Sequence, residues 1–237
     1  MTFAGKNVLV AGGTGGLGRV VTLAFLEQGA RAFVPYQSEK EFANLESAAG
    51  ERASRLEGRE LDVTNEATVK KLVDEIAGAH GHLDVLVNAV GGYIGGIKAW
   101  ELDDSEMGRM LMLNLLSGWV LGRAAAQAMM EQGAGAIVNV ASKAAVEHSA
   151  GVSAYAATKA AAVAMMDSLA EDLRGTGVRV NSVLPSIIDT EANRKAMPSA
   201  DFAKWPKPED IARVILFLAS EDARVIHGAA IPVYGNN

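Results

Sequence analysis

The hydrophobic positions of this chain fall into short runs separated by longer stretches of helical periodicity. Apolar runs at 7–11, 32–34, 59–61, 85–88, 136–140, 178–184 and 229–233 predict seven strands. Several of them, such as Val8-Leu9-Val10 and Val85-Leu86-Val87, are apolar at every position rather than at alternate ones. A strand covered by helices on both faces requires that pattern. Between the runs, 17–28, 67–77, 105–132, 153–174 and 208–219 are long enough for crossover helices. Right-handed crossovers then give an α/β domain with a doubly wound, parallel sheet. The longest stretch without a clear element, 190–207, follows the sixth strand. Open parallel sheets bind ligands beyond the carboxyl ends of their strands, so this stretch is a candidate lid.

Length and composition narrow the class. At 237 residues, with 49% apolar and 21% charged positions, the chain suits one α/β domain over 1–237 rather than two. A net charge of −6 and the lack of any basic run exclude nucleic acid as an expected partner. Without cysteine there is no disulfide framework or thiol nucleophile, which points to a cytoplasmic protein. No signal peptide and no membrane span are expected. His80, His82, His148 and His227 are scattered, so no metal site is expected either.

The first strand runs into Gly12-Gly13-Thr14-Gly15-Gly16-Leu17-Gly18, and a helical pattern follows. Glycines let a backbone approach a pyrophosphate, while free N–H groups and the helix dipole face its charge. Two registers fit: Gly13, Gly15 and Gly18, or Gly12, Gly16 and Gly18. Dinucleotide turns often place an acid near the end of the second strand, where it holds the ribose 2′-hydroxyl. Tyr36 stands there, so the NAD signal is missing. Ser38 and Lys40 suit a 2′-phosphate or, equally, a solvated turn, and no Arg supports them. The choice leans to NADP, with NAD as the alternative.

Tyr155 and Lys159 lie four apart in a helical segment and share a face. An ammonium near a phenol favours the phenolate, so Lys159 is expected to lower the Tyr155 pKa and make it a proton donor or acceptor. Ser142 follows the fifth strand at its carboxyl end, a position for a donor to a substrate oxygen. Asn114 sits among Leu113, Leu115 and Leu116 in a helical pattern, where a buried amide needs partners.

Together these residues resemble the short-chain dehydrogenase/reductase family in its short single-domain form, over nearly the whole chain. The resemblance implies a seven-stranded Rossmann domain and an NAD(P)-dependent oxidoreductase. It selects the register Gly12, Gly16, Gly18 and matches Asn114, Ser142, Tyr155 and Lys159 to the catalytic tetrad. It also implies cofactor contacts at Thr14, Gly15, Leu17, Tyr36, Ser38, Asp62, Val63, Asn88, Ala89, Val90, Gly91, Tyr155, Lys159, Pro185, Ile188 and Thr190. Two segments depart from the family pattern: Asn88-Ala89-Val90-Gly91, and Pro185 to Thr190, where Ser186 replaces Gly. The stretch from Asn193 to Phe202 and on to Trp205 is similar to the lid of dihydropteridine reductases, as are Gly91 to Gly96 and Ser142 to Ala145. Those enzymes lack the tetrad Ser and Asn kept here. The expected function is hydride transfer between nicotinamide and a carbonyl or alcohol. Reduction of a quinonoid pterin and a cofactor-sensing protein without catalysis are the alternatives. A small-molecule substrate and a homodimer or homotetramer complete the expectation.

Overall fold

Val8 and Val10 point to one side of the first strand, Leu9 and Ala11 to the other, and all four are buried. That double burial is the signature of a sheet with helices on both faces, and a computed structural model shows one. It describes residues 1–236; Asn237, the last residue of the expected domain, lies outside them. Seven strands, β1 (Asn7–Ala11), β2 (Arg31–Tyr36), β3 (Leu56–Glu60), β4 (Val85–Asn88), β5 (Gly135–Val140), β6 (Val178–Pro185) and β7 (Ala229–Val233), form one sheet. Its order is β3-β2-β1-β4-β5-β6-β7, and every pairing is parallel. The chain reverses direction between β3 and β4, so the crevice beside β1 and β4 is where a dinucleotide fits.

Three helices cover one face: α1 (Gly16–Glu27), α2 (Glu39–Ala49) and α8 (Pro208–Ala219), through Val21, Phe25, Leu45, Ile211 and Ile215. The other face carries α3 (Glu66–His80), α5 (Ser117–Gln132) and α6 (Ser153–Asp172), through Leu72, Ile76, Leu121, Met129 and Met166. Two shorter helices, α4 (Asp104–Leu111) and α7 (Glu191–Ala196), sit at the carboxyl edge of the sheet, before α5 and after β6.

Four expectations need correction. β3 lies at 56–60 rather than 59–61. It is an edge strand whose sequence, Leu56-Glu57-Gly58-Arg59-Glu60, buries only Leu56, so it has no apolar run to detect. Helix α2 was not expected, yet Ser38 caps it by accepting the Glu41 N–H, and Phe42, Leu45 and Ala49 give it an inner face. A Ser with a Glu three residues on, followed by apolar residues at helical spacing, is a capping-box signal. The helix expected over 105–132 is broken by a π-helical turn at Met112–Leu116. The candidate lid contains α7 and a short helical turn at Phe202–Lys204.

Candidate active site

Beyond β1 the chain turns through Gly12 at a φ of 77°. A Cβ on Gly12 would stand 2.8 Å from the Ala89 carbonyl, and one on Gly18 would collide with the Gly12 backbone. A Cβ on Gly16 would stand 3.1 Å from Thr190 Cγ2, whereas Gly15 has ordinary clearance, 3.4 Å to the Gly12 oxygen. The crowding favours the register Gly12, Gly16, Gly18, with Gly13 also confined by Thr22 and Val34. Helix α1 starts with no side-chain cap and no acid in its first turn. Its N–H groups and positive dipole end therefore face the crevice uncompensated, which suits a pyrophosphate. Glycine crowding and the open helix end together fit a dinucleotide held by the backbone of residues 12–18.

The adenosine side differs from expectation. Ser38 is spent as the α2 cap, and Tyr36 stacks on Phe42 at 4.7 Å. The residue that reaches the glycine loop is Glu41, whose carboxylate accepts the Thr14 hydroxyl at 3.2 Å. Asp62 accepts both the N–H and the hydroxyl of Thr64 and so shapes the turn that carries Val63. Asn88 is turned into the sheet rather than toward the crevice. Its amide donates to Asn139 on β5 at 3.0 Å, and its oxygen accepts the Val90 N–H. Ala89 lines the crevice through its backbone. After Pro185, the Ile188 carbonyl accepts the Thr190 N–H and the Asn193 amide, and Thr190 caps α7. Thr190 thereby closes on Gly16.

The four tetrad candidates meet at the carboxyl edge of β4 and β5. Asn114, in the π turn, is 2% exposed and fully engaged. Its oxygen accepts the Gly92 N–H at 2.9 Å, and its amide donates to the Gly92 carbonyl and to Thr158 on α6, both at 3.1 Å. A Cβ on Gly91 would stand 3.0 Å from both Asn114 Oδ1 and Lys159 Nζ, so this glycine lets the two approach. Ser142 leaves β5 as the cap of a short turn, accepting the Ala144 N–H, with its hydroxyl near enough to the Tyr155 phenol to favour the phenolate. Lys159 is buried and donates to the Val140 carbonyl at 3.0 Å.

Burial sets the protonation of the pair. The Tyr155 phenol is pushed above its ordinary value by desolvation, pulled back by Ser142 and raised further by Tyr93. Lys159 is lowered to about 8 because its ammonium is out of water. The expectation that Lys159 depresses Tyr155 is therefore not met here: the ammonium is turned to a backbone carbonyl and burial dominates the phenol. Thr158 and Glu41 went unread in the sequence, because each takes its place from tertiary contacts, and Tyr93 entered there only as part of the segment Gly91 to Gly96.

A cavity of about 850 Å³ opens at the opposite, amino-terminal edge of the sheet, near Lys6, Asp84, Arg179 and His227. Its polar groups are consumed by the fold. Arg179 donates to the carbonyls of Leu218, Ser220 and Ala223, and Lys6 pairs with Asp84. The candidate catalytic residues lie at the other edge.

A parallel sheet with a glycine turn after β1 and a Ser-Tyr-Lys cluster beyond β5 defines a class of dinucleotide-dependent oxidoreductases, and comparison with known proteins agrees. A family profile described as short chain dehydrogenase matches residues 6–201, and the chain belongs to that family. It is an NAD(P)-dependent dehydrogenase/reductase. D-threitol dehydrogenase from Mycolicibacterium smegmatis is 34% identical over 98% of this chain and 92% of its own length. The 3-oxoacyl-(acyl-carrier-protein) reductase FabG from Thermotoga maritima is 29% identical over 99% and 98%. The solved structure of ElxO with NADP bound superimposes with a TM-score of 0.91 at 27% identity, covering 97% of both chains. No described helix is long and apolar enough to cross a membrane.

Proposed function

We propose that the protein interconverts a carbonyl compound and the corresponding alcohol, using Ser142, Tyr155 and Lys159. The observation that carries this is the convergence of Ser142, after β5, and Tyr155, on α6, at one edge of the sheet, with Lys159 buried a turn further along α6. A nicotinamide dinucleotide, when bound, supplies or accepts the hydride. In the reductive direction the Ser142 hydroxyl donates to the substrate oxygen, and Tyr155 gives that oxygen its proton; oxidation reverses both. Lys159, whose Nζ rests on the Val140 carbonyl, would hold the nicotinamide ribose. Asn114 acts as a positioning residue, because its amide ties Gly92 to Thr158 and so fixes the β4 loop against α6.

Cofactor choice turns on opposed charges. Lys40 favours a 2′-phosphate, whereas the Ser38 side chain is engaged as the α2 cap. Glu39 and Glu41 oppose it, and Glu41 is the one hydrogen-bonded to the glycine loop. That contact supports NAD(H) over the NADP suggested by Ser38 and Lys40. The names of the relatives span polyols and an acyl-carrier thioester, so they leave the substrate class open. The retained Ser142 and Asn114 favour a carbonyl or alcohol over a pterin.

Tyr155→Phe tests the reading. Turnover should fall roughly 10²–10⁴-fold, as for loss of a general acid, with cofactor affinity nearly unchanged. Turnover equal to wild type would remove Tyr155 from the chemistry. Tight cofactor binding without turnover of any carbonyl, alcohol or quinonoid pterin would favour the cofactor-sensing alternative.

A further inference from the structure

Tyr93, between β4 and α4, touches the phenol of Tyr155 and yet remains open to solvent. The two ring centroids are 5.0 Å apart at 74°, an edge-to-face contact, while Tyr93 is 65% exposed. Its setting is fixed on both sides. Gly92, immediately before it, is held through N–H and carbonyl by Asn114 and lies over Leu113 and Met110. Just after it, Ile94, Ile97 and Leu102 gather with Val152 and Ala154 at the start of α6. Gly95 completes the seat: a Cβ there would stand 2.6 Å from the Tyr93 Cζ and closer still to its hydroxyl. The ring tip lies over Gly95, and a side chain there would shift it.

An aromatic ring that leaves a face open beside a reactive phenol offers a flat apolar surface on which another ring can pack. Two other apolar side chains are exposed in the segments that follow β5 and β6 at the same edge, Val146 and Ile187, at 52% and 43%. Lys143, next to Ser142, does not answer them with a free charge. Its ammonium lies 3.2 Å from Glu147 and 4.9 Å from the Tyr234 ring centroid.

We propose that Tyr93 is the substrate-facing wall of the catalytic crevice, and that the substrate is a flat, apolar ketone or its alcohol, cyclic or aryl, rather than an open-chain polyol. This rests on the reading of the chain as a carbonyl/alcohol oxidoreductase. A planar ring laid on the open face of Tyr93 gains offset or edge-to-face contact, and its carbonyl comes to the Tyr155 hydroxyl beside it. A polyol needs several hydrogen-bonding partners, and this wall supplies only the Tyr93 hydroxyl beside an open ring face, Val146 and Ile187. Water is displaced from the Tyr155 ring edge by either.

The test uses the full chain with 1-tetralone and with erythrulose, a four-carbon ketose, in wild type, Tyr93→Phe and Tyr93→Ala. Wild type is expected to prefer 1-tetralone. Tyr93→Ala, which also alters the surroundings of Tyr155 for any substrate, should lower kcat/KM for 1-tetralone by roughly three- to tenfold more than for erythrulose, mainly through KM. Tyr93→Phe should keep the preference. A wild-type preference for erythrulose, equal losses on both ketones, or a Phe variant as impaired as the Ala variant would overturn the proposal. If neither ketone is turned over, the choice of a flat ketone as substrate fails, while the oxidoreductase reading is left to the wider range of carbonyls, alcohols and pterins. Binding of 1-tetralone to the cofactor-loaded protein, followed by nicotinamide fluorescence, then decides the role of Tyr93. Weaker binding in Tyr93→Ala sustains the wall, and unchanged binding removes it. Because Tyr93 is exposed, the unfolding midpoint of each variant should match wild type.

Discussion

Replacing Lys159 with Met removes a charge that the fold buries at a cost. The side chain is 5% exposed, and its ammonium is held at about 8 against an ordinary 10.5. At about 1.4 kcal/mol per pKa unit, the protonated form costs the folded protein roughly 3 kcal/mol relative to the neutral one. The sign follows from proton counting. Below pH 8 both folded and unfolded chains carry the proton, and the penalty is fully present. Between 8 and 10.5 the unfolded chain keeps a proton that the folded chain has lost, so stability rises with pH across that window. Met escapes the penalty but leaves the Val140 carbonyl without its donor, a loss of about 1–3 kcal/mol. At pH 7 the variant is thus expected to be more stable than wild type by about 1 kcal/mol, or equal to it. The decisive quantity is the difference between the two urea unfolding curves as a function of pH. Wild type should gain about 3 kcal/mol on the variant between pH 7 and 10.5. A difference that stays flat over this range would refute the assignment of a costly buried ammonium. The variant should also be inactive, which would show a site kept at the expense of stability.

Three further substitutions probe the cofactor cradle. Gly12→Ala places a Cβ 2.8 Å from the Ala89 carbonyl at a φ of 77°, and it should cost at least about 1–2 kcal/mol and weaken nicotinamide binding. Gly15→Ala, with ordinary clearance, should do neither; equal effects in urea unfolding and cofactor titration would contradict the crowding argument. Glu41→Lys should raise the ratio of NADPH to NADH affinity by roughly tenfold or more at low salt, and less at high salt, as partly exposed charges do. A ratio that does not move would take Glu41 away from the ribose 2′ position.

Much of the fold was legible because β1, β4, β5 and β6 are buried on both faces, and continuous apolar runs announce such strands. Edge position hid β3, whose burial is confined to Leu56. The tetrad candidates were legible as residue types at spacings, and the structure brings all four to one edge. What they do to each other was not. The sequence puts Lys159 and Tyr155 on one helical face, but only the fold decides that Val140 takes the ammonium and that burial outweighs its pull on the phenol. Glu41 escaped notice for a related reason: its contact with Thr14 spans 27 residues and depends on how α2 docks beside the glycine loop.

The π turn at Met112–Leu116 holds one residue more than a regular helix would over the same rise. That surplus sets Asn114 against Gly92 on one side while Gly118 and Gly122 of α5 pass close to Met166 and Leu169 on the other. Each residue removed or added in an α-helix rotates everything beyond it by about 100°. The segment between Asp103 and Gly133 is therefore fixed in length far more tightly than in composition: its outward side chains can drift freely, but a single insertion or deletion would unhook the β4 loop from α6 and carry the catalytic edge apart.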